Sequence, residues 1–195
     1  MMKRLALLLL VTLALPALAQ QDDHQRLALV IIDIQEFYFP GGAVPLTDPE
    51  PAARNAGRVL QEFRKAGDLV VHVGHNAAQG AAFHPEVAPE PGEQIFMKDE
   101  VNAFVGTGLL DYLQRQGVTR IVLAGMQTHM CLEAAARAAH DFGFECVVVQ
   151  DACATRDLKY KLETVPARQV HLATLKTLHG VYAEVVDTDA WLQNH

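Results

Sequence analysis

The chain predicts an α/β fold: a three-layer α/β/α, Rossmann-like architecture around a mostly parallel six-stranded sheet. Three observations carry this. From Leu27 onward, short apolar runs alternate with segments whose apolar residues recur at helical spacing. The first of these runs, LALVIID, has no polar alternation, as expected of a strand buried on both faces. Several helical segments stop on glycine, and strand–helix alternation of this kind builds a parallel sheet covered on both sides.

The elements follow in order. Leu27–Asp33 is the first strand. PEPAARNAGRVLQEFRKAG carries Ala52, Ala56, Val59, Leu60 and Phe63 on one helical stripe and ends at Gly67. Asp68–Gly74 (DLVVHVG) is a second strand and Gln94–Lys98 (QIFMK) a short third. TGLLDYLQRQG reads as a helix, Thr119–Gly125 (TRIVLAG) as the fourth strand, and the alanine-rich segment around Cys131 as a helix ending at Gly143. FECVVVQDA is the fifth strand, VPARQVHLATLKTLHG a helix with its glycine stop, and Val181–Val186 the sixth strand. The one long irregular segment, His75 to Glu93, holds Pro85, Pro89 and Pro91 and suits an active-site loop or an oligomer contact. No internal repeat or low-complexity linker interrupts the pattern.

At 195 residues, half of them hydrophobic and a fifth charged, the chain suits one domain with a substantial core. The net charge is −7 and no basic run occurs, which argues against nucleic acid and anionic membrane surfaces as partners. MMKRLALLLLVTLALPALAQ has the form of a secretory signal peptide: Lys3 and Arg4, an apolar stretch from Leu5 to Leu15 too short to span a bilayer comfortably, and an Ala17-Leu18-Ala19 end. Residues 1–19 are therefore expected to be removed, giving a secreted or periplasmic protein of residues 20–195 with no membrane attachment and a net charge of −9. Three cysteines, Cys131, Cys146 and Cys153, cannot all pair within one chain, so at least one thiol is expected free in an oxidising compartment. No CxxC occurs, which weighs against structural zinc.

Ligands of open parallel sheets bind at the carboxyl ends of the strands. Asp33, Lys98 and Cys131 fall there, each after an apolar run. Singly, Asp33 fits a turn cap, Lys98 a solvated side chain and Cys131 a small buried residue. Together they suit nucleophilic catalysis. Backbone N–H groups at the helix start and the Lys98 charge would favour the Cys131 thiolate. Asp33 would take the thiol proton and return it to a leaving amine, and amides around Gln127 to Cys131 would cradle an oxyanion. With the third strand at the sheet edge, Lys98 must reach across two strand spacings, about 10 Å.

Four landmarks in order, VIIDIQEFYFPGG, GEQIFMKDEVNAF, GMQTHMCLEAAARAA and VVVQDACATRD, resemble the isochorismatase-like cysteine hydrolases, among them nicotinamidases, N-carbamoylsarcosine amidase and streptothricin hydrolase. The resemblance covers about Leu27 to Leu192 and implies a catalytic Asp33–Lys98–Cys131 triad, hydrolysis of a C–N bond of a small molecule through a thioester, and no cofactor. It also implies a cis peptide at Met126–Gln127 that helps Cys131 form the oxyanion hole, and a homodimer or homotetramer. Pocket candidates are Gln35, Phe37, Tyr38, Phe39, His75 and Phe104, with core packing the competing role for the aromatics. Nicotinamidases of the family hold a metal with an Asp-x-His pair and a further histidine. This chain has His72, His75 and His84 but no Asp-x-His, so no metal site is expected. Glu36-Phe37 also replaces the family's frequent Asn-Asp. Vinyl-ether-cleaving isochorismatases commonly lack the cysteine, so Cys131 favours amide or ureido chemistry. Three other readings stand beside it: a catalytically silent exported small-molecule-binding protein of the same fold, an isochorismatase-type vinyl ether hydrolase, and a thiol redox protein pairing Cys131 with Cys153. His129, two residues before Cys131, diverges from it on a helix and reads as structural.

Overall fold

A computed structural model describes residues 26–195; the signal segment expected at residues 1–19 lies outside the described residues. Six parallel strands form one sheet: β1 (Leu27–Ile32), β2 (Leu69–His75), β3 (Gln94–Lys98), β4 (Arg120–Met126), β5 (Glu145–Ala154) and β8 (Glu184–Val186). Their order is β3-β2-β1-β4-β5-β8, so the winding reverses between β1 and β4. That reversal opens a crevice at the carboxyl ends of these two strands.

Burial explains why the strands read as apolar runs rather than alternating ones. On one face Val30, Ile32, Val73, Ile121 and Leu123 pack under α2 (Leu109–Arg115), α3 (Glu133–Asp141) and α4 (Ala167–Leu178). On the other, Leu29, Ile31, Val122 and Val147 pack under α1 (Pro49–Ala66) and α5 (Thr188–Asn194). Helix α1 buries the expected stripe, including Ala52, Ala56, Val59, Leu60 and Phe63, and stops at Gly67 in the left-handed conformation. Each helix hides one face because each sheet face must be dry.

Four details depart from the sequence reading. β2 runs one residue further, so His75 is its last residue. The segment after β5 forms a two-stranded ribbon of β6 (Leu158–Tyr160) and β7 (Glu163–Val165), and α4 starts only after Pro166. Proline disfavours the helical conformation for the residue before it, so Val165 is left to pair with Leu158. β8 is half the expected length because Gly180–Ala183 folds back in a turn, with Gly180 N–H donating to the Ala183 carbonyl. Finally, α5 closes the α1 layer with Trp191, 2 % exposed and stacked on Phe63.

Candidate active site

The carboxyl ends of β1, β3 and β4 bring Asp33, Lys98 and Cys131 together. Asp33 follows β1 with φ 51°, in the left-handed region that non-glycine residues seldom adopt. Its N–H is secured by the Val73 carbonyl at 2.8 Å. Lys98 ends the edge strand β3, and its side chain crosses β2 to reach Asp33: Nζ lies 2.8 Å from Asp33 Oδ2, both side chains fully buried. The same Nζ donates to Cys131 Sγ at 3.3 Å. The reach of two strand spacings is therefore met by the extended lysine stem.

Cys131 stands on a distorted helix start. Thr128–Leu132 is a turn of π-helix that leads into α3, and both Met130 N–H and Leu132 N–H donate to the Gln127 carbonyl. The peptide Met126–Gln127 is cis. Just before it, Gly125 has φ 144°, and a Cβ there would lie 2.0 Å from the Ile32 carbonyl oxygen. Only glycine lets β4 press this closely on the end of β1. The β4–β5 register shifts at the same place, between Leu123 and Gly125. These features pack the Asp33 and Cys131 segments side by side at the point where the winding reverses.

The electrostatics correct the expectation of a resting thiolate. Burial, with the Asp33 charge next, pushes the Cys131 thiol up to about 12 against the opposing pull of Lys98. Burial likewise raises the Asp33 carboxyl, only partly offset by the Lys98 charge. Thiolates are favoured where water or bare amides and cations dominate, but here a carboxylate shares the same dry space. The resting thiol keeps its proton, and a nearby carboxylate of raised basicity is set to receive it.

A cavity of about 530 Å³, lined among others by Phe37, Tyr38, Val44, His75, Gln127 and Arg156, adjoins the three residues through His75, which meets Lys98, although none of the three is among its lining residues. Of the aromatic candidates, Phe37 and Tyr38 face this space. Phe39 does not: its ring stacks on His84 at 4.0 Å. Phe104 does not either, because it packs edge-on against Phe142 at 5.4 Å. Gln35 is not a cavity residue but a clamp. It is fully buried; its Oε1 accepts from His75 N–H at 2.7 Å, and its Nε2 donates to the carbonyls of His75 at 3.0 Å and Ala81 at 2.6 Å.

The three histidines considered for a metal go separate ways. His72 bonds to Glu93 at 2.8 Å, His75 meets Lys98 at 3.3 Å, and His84 stacks on Phe39. His129 Nδ1 pairs with Thr155 Oγ1 at 2.6 Å. Cys131, Cys146 and Cys153 are all free, and Cys153 donates to the Val149 carbonyl at 3.2 Å. Sequence reasoning missed Arg156, the cation on the cavity wall. Its signal was available: the last basic residue of VVVQDACATRD, two positions past β5 at the same sheet edge.

Comparison with known proteins agrees with this fold. The isochorismatase domain family matches residues 27–190. The isochorismatase family protein YddQ of Bacillus subtilis (strain 168) is 43% identical over 177 residues, covering 85% of this chain and 98% of that protein. Maleamate amidohydrolase of Pseudomonas putida is 32% identical over 189 residues, covering 78% of this chain and 88% of its own length. A solved isochorismatase hydrolase structure from Oleispira antarctica superposes with a TM-score of 0.84 at 39% identity, covering 87% of this chain and 97% of that one. Sequence, sheet order and relatives together make this chain a member of the isochorismatase family of hydrolases.

Proposed function

We propose that the protein is an exported cysteine amidohydrolase that cleaves a C–N bond of a small amide or ureido compound through a thioester on Cys131. The observation that carries this reading is the single buried ammonium of Lys98, at 2.8 Å from Asp33 Oδ2 and 3.3 Å from Cys131 Sγ, at the side of a cavity. As Sγ attacks the substrate carbonyl, the thiol proton passes to Asp33, whose Oδ1 no protein donor among the described residues reaches in hydrogen-bond geometry. The backbone N–H groups of Gln127 and Cys131 would meet the oxyanion. Asp33 then gives its proton to the departing nitrogen, the amine leaves, and a thioester remains. A water, deprotonated by Asp33, hydrolyses the thioester to acid and restores the thiol. Lys98 keeps the alternating charge on Sγ and Asp33 compensated throughout.

The cavity wall narrows the substrate. It is mostly apolar, with Arg156 as its cation, so an acyl group carrying a carboxylate or another strong acceptor fits it best. The maleamate amidohydrolase relative, by its name, acts on such a compound. The test is a screen of the mature protein against maleamate-like amide acids, neutral amides, ureido compounds and nicotinamide. Cys131→Ala should abolish turnover of every active compound while leaving the fold intact, and intact mass should show an acyl adduct in the unmutated protein. Full activity in Cys131→Ala ends the proposal. Arg156→Gln should raise KM for the acidic substrates more than for neutral ones. Export rests on the charged start, apolar middle and Ala-x-Ala end of residues 1–19. N-terminal sequencing of the secreted form should begin at Gln20, and an intact Met1 would refute it.

A further inference from the structure

An ammonium has three N–H bonds and no lone pair. Around Lys98 Nζ stand three groups: the Asp33 carboxylate, ion-paired through Oδ2 at 2.8 Å, and two hydrogen-bond acceptors, Cys131 Sγ and His75 Nδ1, each at 3.3 Å. The first two take part in the proposed chemistry, and the third is not required by it. Yet His75 is held there firmly. It lies opposite Lys98 in the β2–β3 register, and Gln35 grips its backbone on both sides, accepting from its N–H and donating to its carbonyl.

The cation also fixes the state of the ring. A donor-only group can meet Nδ1 only if that nitrogen carries the lone pair, which puts the imidazole proton on Nε2. Among the described residues Nε2 has no protein partner, and His75 lines the cavity. We propose that His75, neutral and protonated on Nε2, aims the Lys98 ammonium at Asp33 and Cys131 through Nδ1 while its Nε2–H binds an acceptor atom of the substrate. The inference rests on the reading of Lys98 as the cation of a Cys131 nucleophile. It adds a demand on the substrate: a lone pair within reach of the cavity face of β2.

The experiment uses iodoacetamide, a small amide that alkylates thiols, on the mature protein from pH 5 to 9, with peptide mapping to follow Cys131 alone. Gln at position 75 supplies an acceptor and a donor, whereas Leu supplies neither. His75→Gln should alkylate within about threefold of the unmutated protein at pH 8. His75→Leu should be slowed tenfold or more throughout. The proposal is overturned if His75→Leu reacts within twofold of the unmutated protein, or if His75→Gln is slowed as much as His75→Leu. Should Cys131 of the unmutated protein be no more reactive than the buried Cys146, the nucleophile reading fails and this inference with it. A reactive Cys131 indifferent to both substitutions refutes the role of His75 alone.

Discussion

Glu93→Gln tests how the wall of the cavity is held. Glu93 closes the irregular segment that starts after His75, and its carboxylate is tied down by Arg64 Nε at 2.7 Å, Arg64 Nη2 at 2.9 Å, His72 Nε2 at 2.8 Å and Glu90 N–H at 2.8 Å. Burial alone would raise its pKa, but these hydrogen bonds win and bring it from 4.5 down to about 2. A shift of that size corresponds to about 3 kcal/mol, and to about 2 kcal/mol once solvent screening of the partly wet Arg64 pair is allowed for. Glutamine keeps the shape and loses the charge, so Glu93→Gln should lower Tm by about 4–8 °C at pH 7 for a domain of this size. The sign with pH is definite. A depressed carboxyl stabilises the fold above its unfolded pKa, and that contribution disappears as pH falls from 4.5 toward 2. His72, whose pKa is lowered by burial, adds a loss that sets in as pH falls through its unfolded value of 6.5, because the unfolded chain takes up the proton that the folded one refuses. Tm measured by circular dichroism from pH 3 to 7 should thus fall in two stages in the unmutated protein. Glu93→Gln should lose the lower stage and keep the upper. A Tm within 2 °C of the unmutated protein at pH 7, with both stages intact, would refute the reasoning. Since the same segment carries Asn76 and Gln79 on the cavity wall, KM should rise as well.

Gly125→Ala places a Cβ 2.0 Å from the Ile32 carbonyl and should destabilise by about 3 kcal/mol or more, seen as a Tm loss of at least about 6 °C, with turnover reduced because Gln127 and Cys131 move. An unchanged Tm would show that the β1–β4 contact is slacker than described. Cys146 and Cys153 are buried and donate only to backbone carbonyls, with no ammonium and carboxylate beside them such as Cys131 has, so both should resist iodoacetamide at pH 8 until the protein unfolds; fast native labelling of either contradicts their burial. Phe37→Ala should raise KM about tenfold, since the ring lines the cavity. Phe104→Leu should leave kcat/KM within twofold, since its ring packs on Phe142 instead. Equal effects of the two on KM would place the substrate elsewhere.

The central sheet was legible because its strands are buried on both faces, so Leu27–Ile32 and Arg120–Met126 carry apolar runs that no helix of that length would need. The same rule exposed Asp33, Lys98 and Cys131: a polar residue directly after a dry strand has few other reasons to be there. What did not read out depends on contacts distant in sequence. Phe39 and Phe104 look like Phe37 along the chain, and only the positions of His84 and Phe142 turn them from the cavity. Gln35 resembles a substrate ligand until β2 arrives to be clamped. The protonated state of the thiol was misjudged because a helix-start argument counts nearby amides and cations but not the carboxylate that the fold delivers to the same dry space. The β6–β7 ribbon escaped because three-residue strands lie below the length at which periodicity speaks.

The ammonium that organises the site is borne by the outermost strand, which has a neighbour on one side only. Borders of sheets open more readily than their middles. Mild denaturant should therefore silence the enzyme by withdrawing a single positive charge while the hydrophobic interior is still intact, and loss of activity should run ahead of loss of ellipticity.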